Sequence, residues 1–300
     1  MINEGPEIPP GSFRPSSEEP PKLRAESKVI EAESYPDLVA KYSLFREKLK
    51  PKADIVYHPC GANDVSPSVA FPDSRVIYVD IDEKSVEALK KGGFEAHTAS
   101  ALEFDPGDVD ILIMLNPQIP PDIPSSHVVE NGFVLCNDYH GTASSLHRNE
   151  QYQLRAMIRV SRGGELILDT ENLEDCWREI DTEEEFQNAP FDWGAANYQM
   201  AVPVVEAVTG KRENVLAEYK KMIASAREEQ RQNNAQTLQE HPEWANFLGD
   251  PDKEGVLMYN HDGRQFVLAT TLPRKKGTVD DIFAFQKVNP NPQVSETPLK

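Results

Sequence analysis

The sequence has few of the features that define several common protein classes. Its 300 residues include only three cysteines, Cys60, Cys136 and Cys176, which lie far apart and form no C-x-x-C pair. Buried or free thiols in a reducing compartment are therefore expected. No apolar run approaches the roughly 20 residues of a membrane span. The first residues, MINEGPEIPPGSF, have neither a basic nor an apolar segment typical of a secretory signal, so we expect a cytoplasmic protein outside the membrane.

Basic residues are also scarce. The chain has 50 Asp and Glu against 31 Lys and Arg, a formal net charge of −19. Such a charge repels phosphate backbones and anionic lipid, which disfavours a nucleic-acid or membrane partner. A small-molecule or protein substrate is the expected partner, and the oligomeric state stays open.

The composition changes along the chain and predicts its organisation. Both ends are rich in Pro, Glu and Ser and have little aliphatic content, so they cannot repay the entropy of ordering. The predicted divisions are a disordered tail (1–30), a core (31–170), an acidic and aromatic insertion or substrate cap (171–255), closing strands (256–288) and a second disordered tail (289–300).

Short β-branched runs alternate with helical segments in the core. The runs are ADIVY, RVIYVD, DILIML, GFVLC and GELIL, and DEKSVEALKK forms a helix that ends at Gly92 and Gly93. Strands without polar alternation, linked through helices, are typical of a parallel sheet covered on both faces. We therefore predict an α/β fold with a doubly wound, mostly parallel sheet. VLMYN and RQFVLAT flank a turn at His261–Gly263 and predict a hairpin, and DDIFAFQKV predicts a last strand.

The segment IVYHPCGANDVSPSVAFPDSRVIYVD, with Gly61 in its turn and Asp80 at its end, resembles the first two strands of class I S-adenosylmethionine (SAM) dependent methyltransferases. HTASALEF, LNPQIP and IFAFQK resemble the family's third, fourth and last strand segments. The resemblance implies a Rossmann-like methyltransferase fold with SAM as the cofactor and Asp80 as the acceptor of two ribose hydroxyls. The implied cofactor-binding residues are Tyr57, Gly61, Asn63, Asp80, Ile81, Ser100, Ala101, Asn116 and Pro117.

Further polar residues follow the later strands and are candidates for chemistry. His140, two residues after Asp138, is a candidate general base that takes a proton from the methyl acceptor. Asn116 is a candidate for binding an amino substrate, and loop capping before Pro117 is the structural alternative. Solvated strand ends are the alternative for Asp138 and His140. The catalytic candidates are thus Asn116, Asp138 and His140.

Other side chains have weaker claims to a functional role. His58 and Cys60 would need metal-binding partners that the sequence does not show, so we predict no metal site. Trp177, Trp193 and Trp244 could wall a substrate pocket or pack in the interior.

Two alternatives to the enzyme remain. The turn Tyr57–Asp64 has one glycine, where the family commonly has three, and such a turn is typical of a catalytically inactive descendant that serves as a binding or scaffold protein. A nicotinamide-dependent oxidoreductase is the weakest hypothesis, because G-x-G-x-x-G is missing.

Overall fold

The structure, a computed structural model, describes residues 31–117, 119–138, 140–161, 163–188, 198–242, 256–269, 272–277 and 281–289. Its helices are α1 (Pro36–Leu49), α2 (Ser66–Ala70), α3 (Glu83–Lys91), α4 (Asp122–Ser126), α5 (Thr142–His147), α6 (Glu183–Gln187), α7 (Tyr198–Thr209) and α8 (Val215–Glu240), with a 3₁₀ helix at Leu173–Cys176. Its strands are β1 (Ile55–Pro59), β2 (Arg75–Asp80), β3 (Glu95–Thr98), β4 (Val109–Met114), β5 (Val128–Cys136), β6 (Tyr152–Val160), β7 (Leu166–Asp169), β8 (Val256–His261), β9 (Arg264–Ala269) and β10 (Ile282–Lys287). The predicted tails at 1–30 and 290–300 lie outside these residues.

Eight strands form one twisted sheet in the order β3-β2-β1-β4-β5-β10-β6-β7. Strands β1 to β6 run in one direction, whereas β10 is antiparallel to β5 and β6, and β7 is antiparallel to β6. The sheet is therefore mostly parallel, which confirms the predicted fold class.

Both faces of the sheet are buried, which explains the uninterrupted apolar strands. Every residue of β4 is buried. Successive side chains point to opposite faces: Ile111 and Ile113 pack with α1, α2 and α3, while Leu112 and Met114 pack with α5 on the other side. Helices on both faces make the sheet doubly wound.

Helix α3 begins and ends where the sequence predicts. The Asp82 carboxylate accepts a hydrogen bond from the Lys84 N–H at the start of the helix. At its end, Gly93 has a φ of 84°, which a side chain would disfavour. The short helix α4 has only five residues, as expected for the Pro-rich connection between β4 and β5.

A second core lies outside the main sheet. It contains α6, α7 and α8 together with β8 and β9, which pair only with each other among the described strands. One face of α8 is buried there, with Val215, Leu216, Tyr219, Met222 and Ile223.

The prediction that residues 256–288 close the main sheet is wrong for β8 and β9 and right for β10. Leu257 and Leu268 from the hairpin are buried in the second core, while Val267 on the other face is exposed. The hairpin therefore buries its single apolar face against α8 and needs no place in the main sheet.

Strand β6 was not predicted. Its sequence YQLRAMIRV places Arg155 and Arg159 among apolar residues, so it lacks the continuous apolar run of β4. Arg159 pairs with Asp169 of β7 at 2.7 Å. In the described residues, no helix has the length and apolar composition needed to cross a membrane.

We predict that Ile223→Ala destabilises the protein by about 2–4 kcal/mol, because it leaves a cavity in the second core. Lys221→Ala, an exposed change two residues earlier, is expected to alter the free energy of unfolding by about 0.5 kcal/mol or less. Urea denaturation followed by circular dichroism measures both. Equal effects would show that the second core contributes nothing to global stability.

Candidate functional site

The candidate site lies at the carboxyl edge of the sheet, at the position where the strand order reverses. Strand β1 pairs with β2 on one side and with β4 on the other, so the connections leave the sheet on opposite faces. In open α/β sheets, ligands bind in the crevice at this position. The turn Cys60–Asp64 follows β1, and residues 115–117 follow β4.

Asp80 joins the tips of β1 and β2. Its Oδ2 accepts a hydrogen bond from the Ala62 N–H at 3.0 Å, and its Oδ1 accepts one from the Asp82 N–H at 2.9 Å. The Cys60 N–H donates to the Val79 carbonyl at 2.8 Å. The two sequence features, a turn with glycine and an acidic strand end, therefore meet in space.

The turn after β1 has unfavourable backbone geometry. Cys60 and Ala62 have φ values of 56° and 49°, and Asn116 after β4 has 50°. For residues with a Cβ, this left-handed conformation costs about 1–2 kcal/mol of conformational energy per residue. Backbone strain of this kind concentrates at functional sites.

Gly61 is explained by a neighbouring side chain. A Cβ built on Gly61 would lie 2.1 Å from His58 Nε2, far inside van der Waals contact. The His58 ring is buried beneath the turn, and its Nδ1 lies 3.1 Å from the Ile113 carbonyl oxygen. The missing side chain therefore makes room for His58.

A buried carboxylate lies beside His58. Asp64 Oδ2 is 3.7 Å from His58 Nε2, and Asp64 Oδ1 accepts from the Ser66 N–H. Burial acts to raise the pKa of Asp64, but His58 and Ser66 stabilise the charged form and hold the pKa below its usual value. Burial, and then the charge of Asp80, raise the pKa of the Cys60 thiol to about 11, so Cys60 is protonated at neutral pH.

Asn116 and Asn137 form a pair of amides between β4 and β5. The Asn116 N–H donates to Asn137 Oδ1 at 3.0 Å, and Asn137 Nδ2 donates to Asn116 Oδ1 at 2.6 Å. Asn137 is buried and Asn116 is exposed. The structure thus gives Asn116 a fixed orientation, while its predicted contact with an amino substrate stays a prediction.

Asp138 has a structural role, and its predicted catalytic role stays a prediction. It is fully buried, and its carboxylate accepts hydrogen bonds from the Ser144 N–H, the Ser144 hydroxyl and Arg274 Nη2. The general-base role of His140 stays a prediction.

The other predicted residues divide by exposure. The side chains of Tyr57, Ala101 and Pro117 are buried, and the predicted contact of these residues with a cofactor stays a prediction. Ser100 Oγ accepts from the Leu102 N–H, and Asn63 Nδ2 donates to the Glu31 carbonyl. Ile81 is 77% exposed beside Asp80. Gln118, Tyr139, Trp193 and Trp244 lie outside the described residues.

Sequence reasoning missed Arg274. Arg274 Nη2 lies 2.8 Å from Asp138 and 2.9 Å from Ser144 Oγ, and the guanidinium carbon lies 4.7 Å from the centre of a Trp177 ring. Its partner Asp138 is 136 positions away in the chain. The run RKK in an acidic protein was the only available signal.

Comparisons with known proteins give a partial likeness. No family model matches the chain, and no curated protein matches it. Solved structures that align in part include N-methyltransferase NodS from Bradyrhizobium japonicum in complex with S-adenosyl-L-homocysteine (SAH), with 10% identity over 36% of this chain and 62% of that chain and a TM-score of 0.29. Magnesium protoporphyrin IX methyltransferase from Synechocystis with bound SAM aligns with 15% identity over 44% of this chain and 76% of that chain, with a TM-score of 0.34. An O-methyltransferase from Bacillus cereus in complex with SAH aligns with 9% identity over 47% of this chain and 82% of that chain, with a TM-score of 0.36. The chain also spans 37% of coclaurine N-methyltransferase. All four are methyltransferases by name.

We predict that Gly61→Ala destabilises the protein by about 1–3 kcal/mol, because the new methyl group clashes with His58. In a His58→Ala background the same change should cost less. A double-mutant cycle measured by denaturant unfolding checks this coupling. Equal costs in both backgrounds would mean that His58 is not the reason for the glycine.

We predict that Asp138→Ala and Arg274→Ala each cost about 3–5 kcal/mol, because each leaves a buried charge without its partner. The double variant should cost less than the two single losses together. Arg159→Ala and Asp169→Ala are a control on a pair that is more exposed, at 25% and 22% of the side chains, and their single losses should be smaller. Additive losses for Asp138 and Arg274 would contradict the assigned coupling.

Proposed function

We propose that this chain binds S-adenosylmethionine at the joined tips of β1 and β2 and transfers its methyl group to a small molecule or a protein side chain. The hydrogen bond from the Ala62 N–H to Asp80 carries the proposal, because it holds the carboxylate against the turn at the crevice of the sheet. A cytoplasmic location and the lack of a nucleic-acid partner are parts of the same proposal, based on sequence and charge.

Asp80 retains the capacity to bind a ribose. A carboxylate offers about four acceptor positions, and the Ala62 and Asp82 amides use one on each oxygen. The side chain is partly exposed. The remaining positions suit two adjacent hydroxyl donors, such as the 2′ and 3′ hydroxyls of a nucleoside.

Apolar surface flanks Asp80. Ile81 is 77% exposed and Leu102 is 37% exposed. The Ala99 N–H donates to the Asp80 carbonyl at 3.0 Å, so the loop that carries Leu102 is held next to Asp80. A bound adenine would cover such exposed apolar side chains, and this burial would favour binding. The residues present therefore fit the nucleoside half of the cofactor.

Methyl transfer from SAM requires little acid or base catalysis by the protein. SAM supplies an activated methyl group on a sulfonium. The chain contributes positioning through Asp80 and the turn, and the paired amides of Asn116 and Asn137 orient polar groups beside the crevice. Exclusion of water from the site would add to this positioning.

A scaffold without catalytic activity is the second candidate. Its specific support is that Gly61 makes room for His58, so the glycine alone does not require a ligand. Under this hypothesis the strained turn and Asp80 maintain a binding surface only. If Asp80→Ala leaves SAM binding and every detectable methyl transfer unchanged, the scaffold candidate gains support.

We predict that wild-type protein binds SAM and S-adenosylhomocysteine saturably, and that Asp80→Asn weakens binding about 10–100-fold, since it removes charge-assisted hydrogen bonds. Asp73→Asn is the matched control, because Asp73 is exposed in the turn that precedes β2, at the opposite end of the strand from Asp80. This variant should bind SAM as the wild type does. Isothermal titration calorimetry measures all three proteins. No saturable heat with wild type, or unchanged affinity in Asp80→Asn, would remove the proposal.

A further inference from the structure

A second candidate site lies between α5, the segment after the 3₁₀ helix, α8 and residues 272–274. It is a cavity of about 330 Å³. Its lining includes Arg148, Arg227 and Arg274, with Trp177, Glu179 and Leu272. The volume is within the lower range of pockets for small ligands. None of these residues belongs to the site at Asp80.

The charge of this pocket is opposite to that of the whole protein. Three arginines and one carboxylate, Glu179, line the pocket in a chain with a net charge of −19, and one of these arginines, Arg274, is paired with the buried Asp138. Glu179 is itself paired with Lys220 at 3.5 Å. Such a local concentration of positive charge attracts anions that the rest of the surface repels.

Arg274 is held in place for binding. Asp138 and Ser144 fix its Nη2, and the side chain is 13% exposed. Within the part of the chain that the structure describes, its Nε and Nη1 groups donate to no acceptor. A guanidinium group that is already held by hydrogen bonds from one nitrogen can bind an oxyanion through its other nitrogens. Binding then costs little side-chain conformational entropy.

Aromatic rings build one wall of the pocket. The His147 ring stacks on Trp177 at 4.4 Å with an interplanar angle of 15°, and Trp177 also contacts the Arg274 guanidinium. Burial, and then the charges of Arg274 and Arg148, lower the pKa of His147, so this ring is neutral at pH 7. The wall is therefore an uncharged aromatic surface beside the Arg274 guanidinium.

We propose that this pocket binds a small organic anion whose oxyanion contacts Arg274 and Arg148 and whose apolar body packs against Trp177 and Leu272. The shared chemistry is a carboxylate or phosphate ester carrying a compact apolar group. The site goes beyond methyl transfer, and it stands whether or not the chain binds SAM.

Calorimetry of the full chain at low salt tests the proposal with benzoate, phenyl phosphate, inorganic phosphate and neutral benzyl alcohol. Benzoate or phenyl phosphate should bind saturably, and the tighter of the two identifies the anionic group. Benzyl alcohol should not bind. Inorganic phosphate should bind at least about tenfold more weakly than phenyl phosphate, because it lacks the apolar body.

Two variants locate the ligand. Arg148→Gln should weaken binding about three- to tenfold, because it removes an exposed guanidinium from the pocket. Arg178→Gln is the matched control: it makes the same charge change on the exposed Arg178, which pairs with Asp175 and does not line the pocket, and should alter affinity less than about twofold. Trp177→Leu should weaken binding of phenyl phosphate more than binding of inorganic phosphate.

Three results would overturn the proposal. These are no saturable heat with either aromatic anion, equal binding of benzyl alcohol and benzoate, or equal effects of Arg148→Gln and Arg178→Gln. Circular dichroism of each variant verifies that it is folded. Arg148→Gln and Arg178→Gln change exposed side chains, so the test remains decisive even if Trp177→Leu fails to fold.

Discussion

Backbone N–H groups in the turns at the carboxyl edge of the sheet need acceptors once the strands have ended, and side-chain oxygens supply them. Asp80 accepts from the turn after β1, Asn137 from the residue after β4, and Asp138 from the first turn of α5. The same groups therefore hold the loops together and define the crevice. A polar side chain at this edge therefore stabilises the loops of the fold, and a ligand can use only the hydrogen-bonding positions that these loops do not occupy.

The fold could be predicted from the sequence where one pattern dominates. Strand β4 is apolar from Ile111 to Met114 because both faces of the sheet are covered, and α8 carries a single stripe because one side faces solvent. Strand β6 escaped prediction because Arg155 and Arg159 interrupt it, and their partners Gln286 and Asp169 lie on other strands. The hairpin itself was predicted correctly, but its place was not, because the turn specifies pairing and says nothing of which core the pair covers.

The candidate site was predictable in position and less so in role. Asp80 contacts the turn that carries Gly61, as expected from their spacing within one strand-turn-helix-strand unit. The role of Gly61 depends on the His58 ring, and that of Asp138 depends on Arg274, contacts that the sequence pattern does not encode. The loop of Arg274 is a further case of contacts that the sequence pattern does not encode. Its three consecutive cations pair with carboxylates of three different segments: Arg274 with Asp138, Lys275 with Glu185, and Lys276 with Asp169.

The place of β10 has a consequence for synthesis on the ribosome. This strand is translated after the other nine, yet it lies inside the main sheet between β5 and β6. Until it emerges, β6 and β7 have no partner that connects them to β5, and two strand edges remain open to mispairing. The nascent chain therefore completes its central sheet only after β10 has been translated, and the second core, whose elements precede β10, has the opportunity to form first.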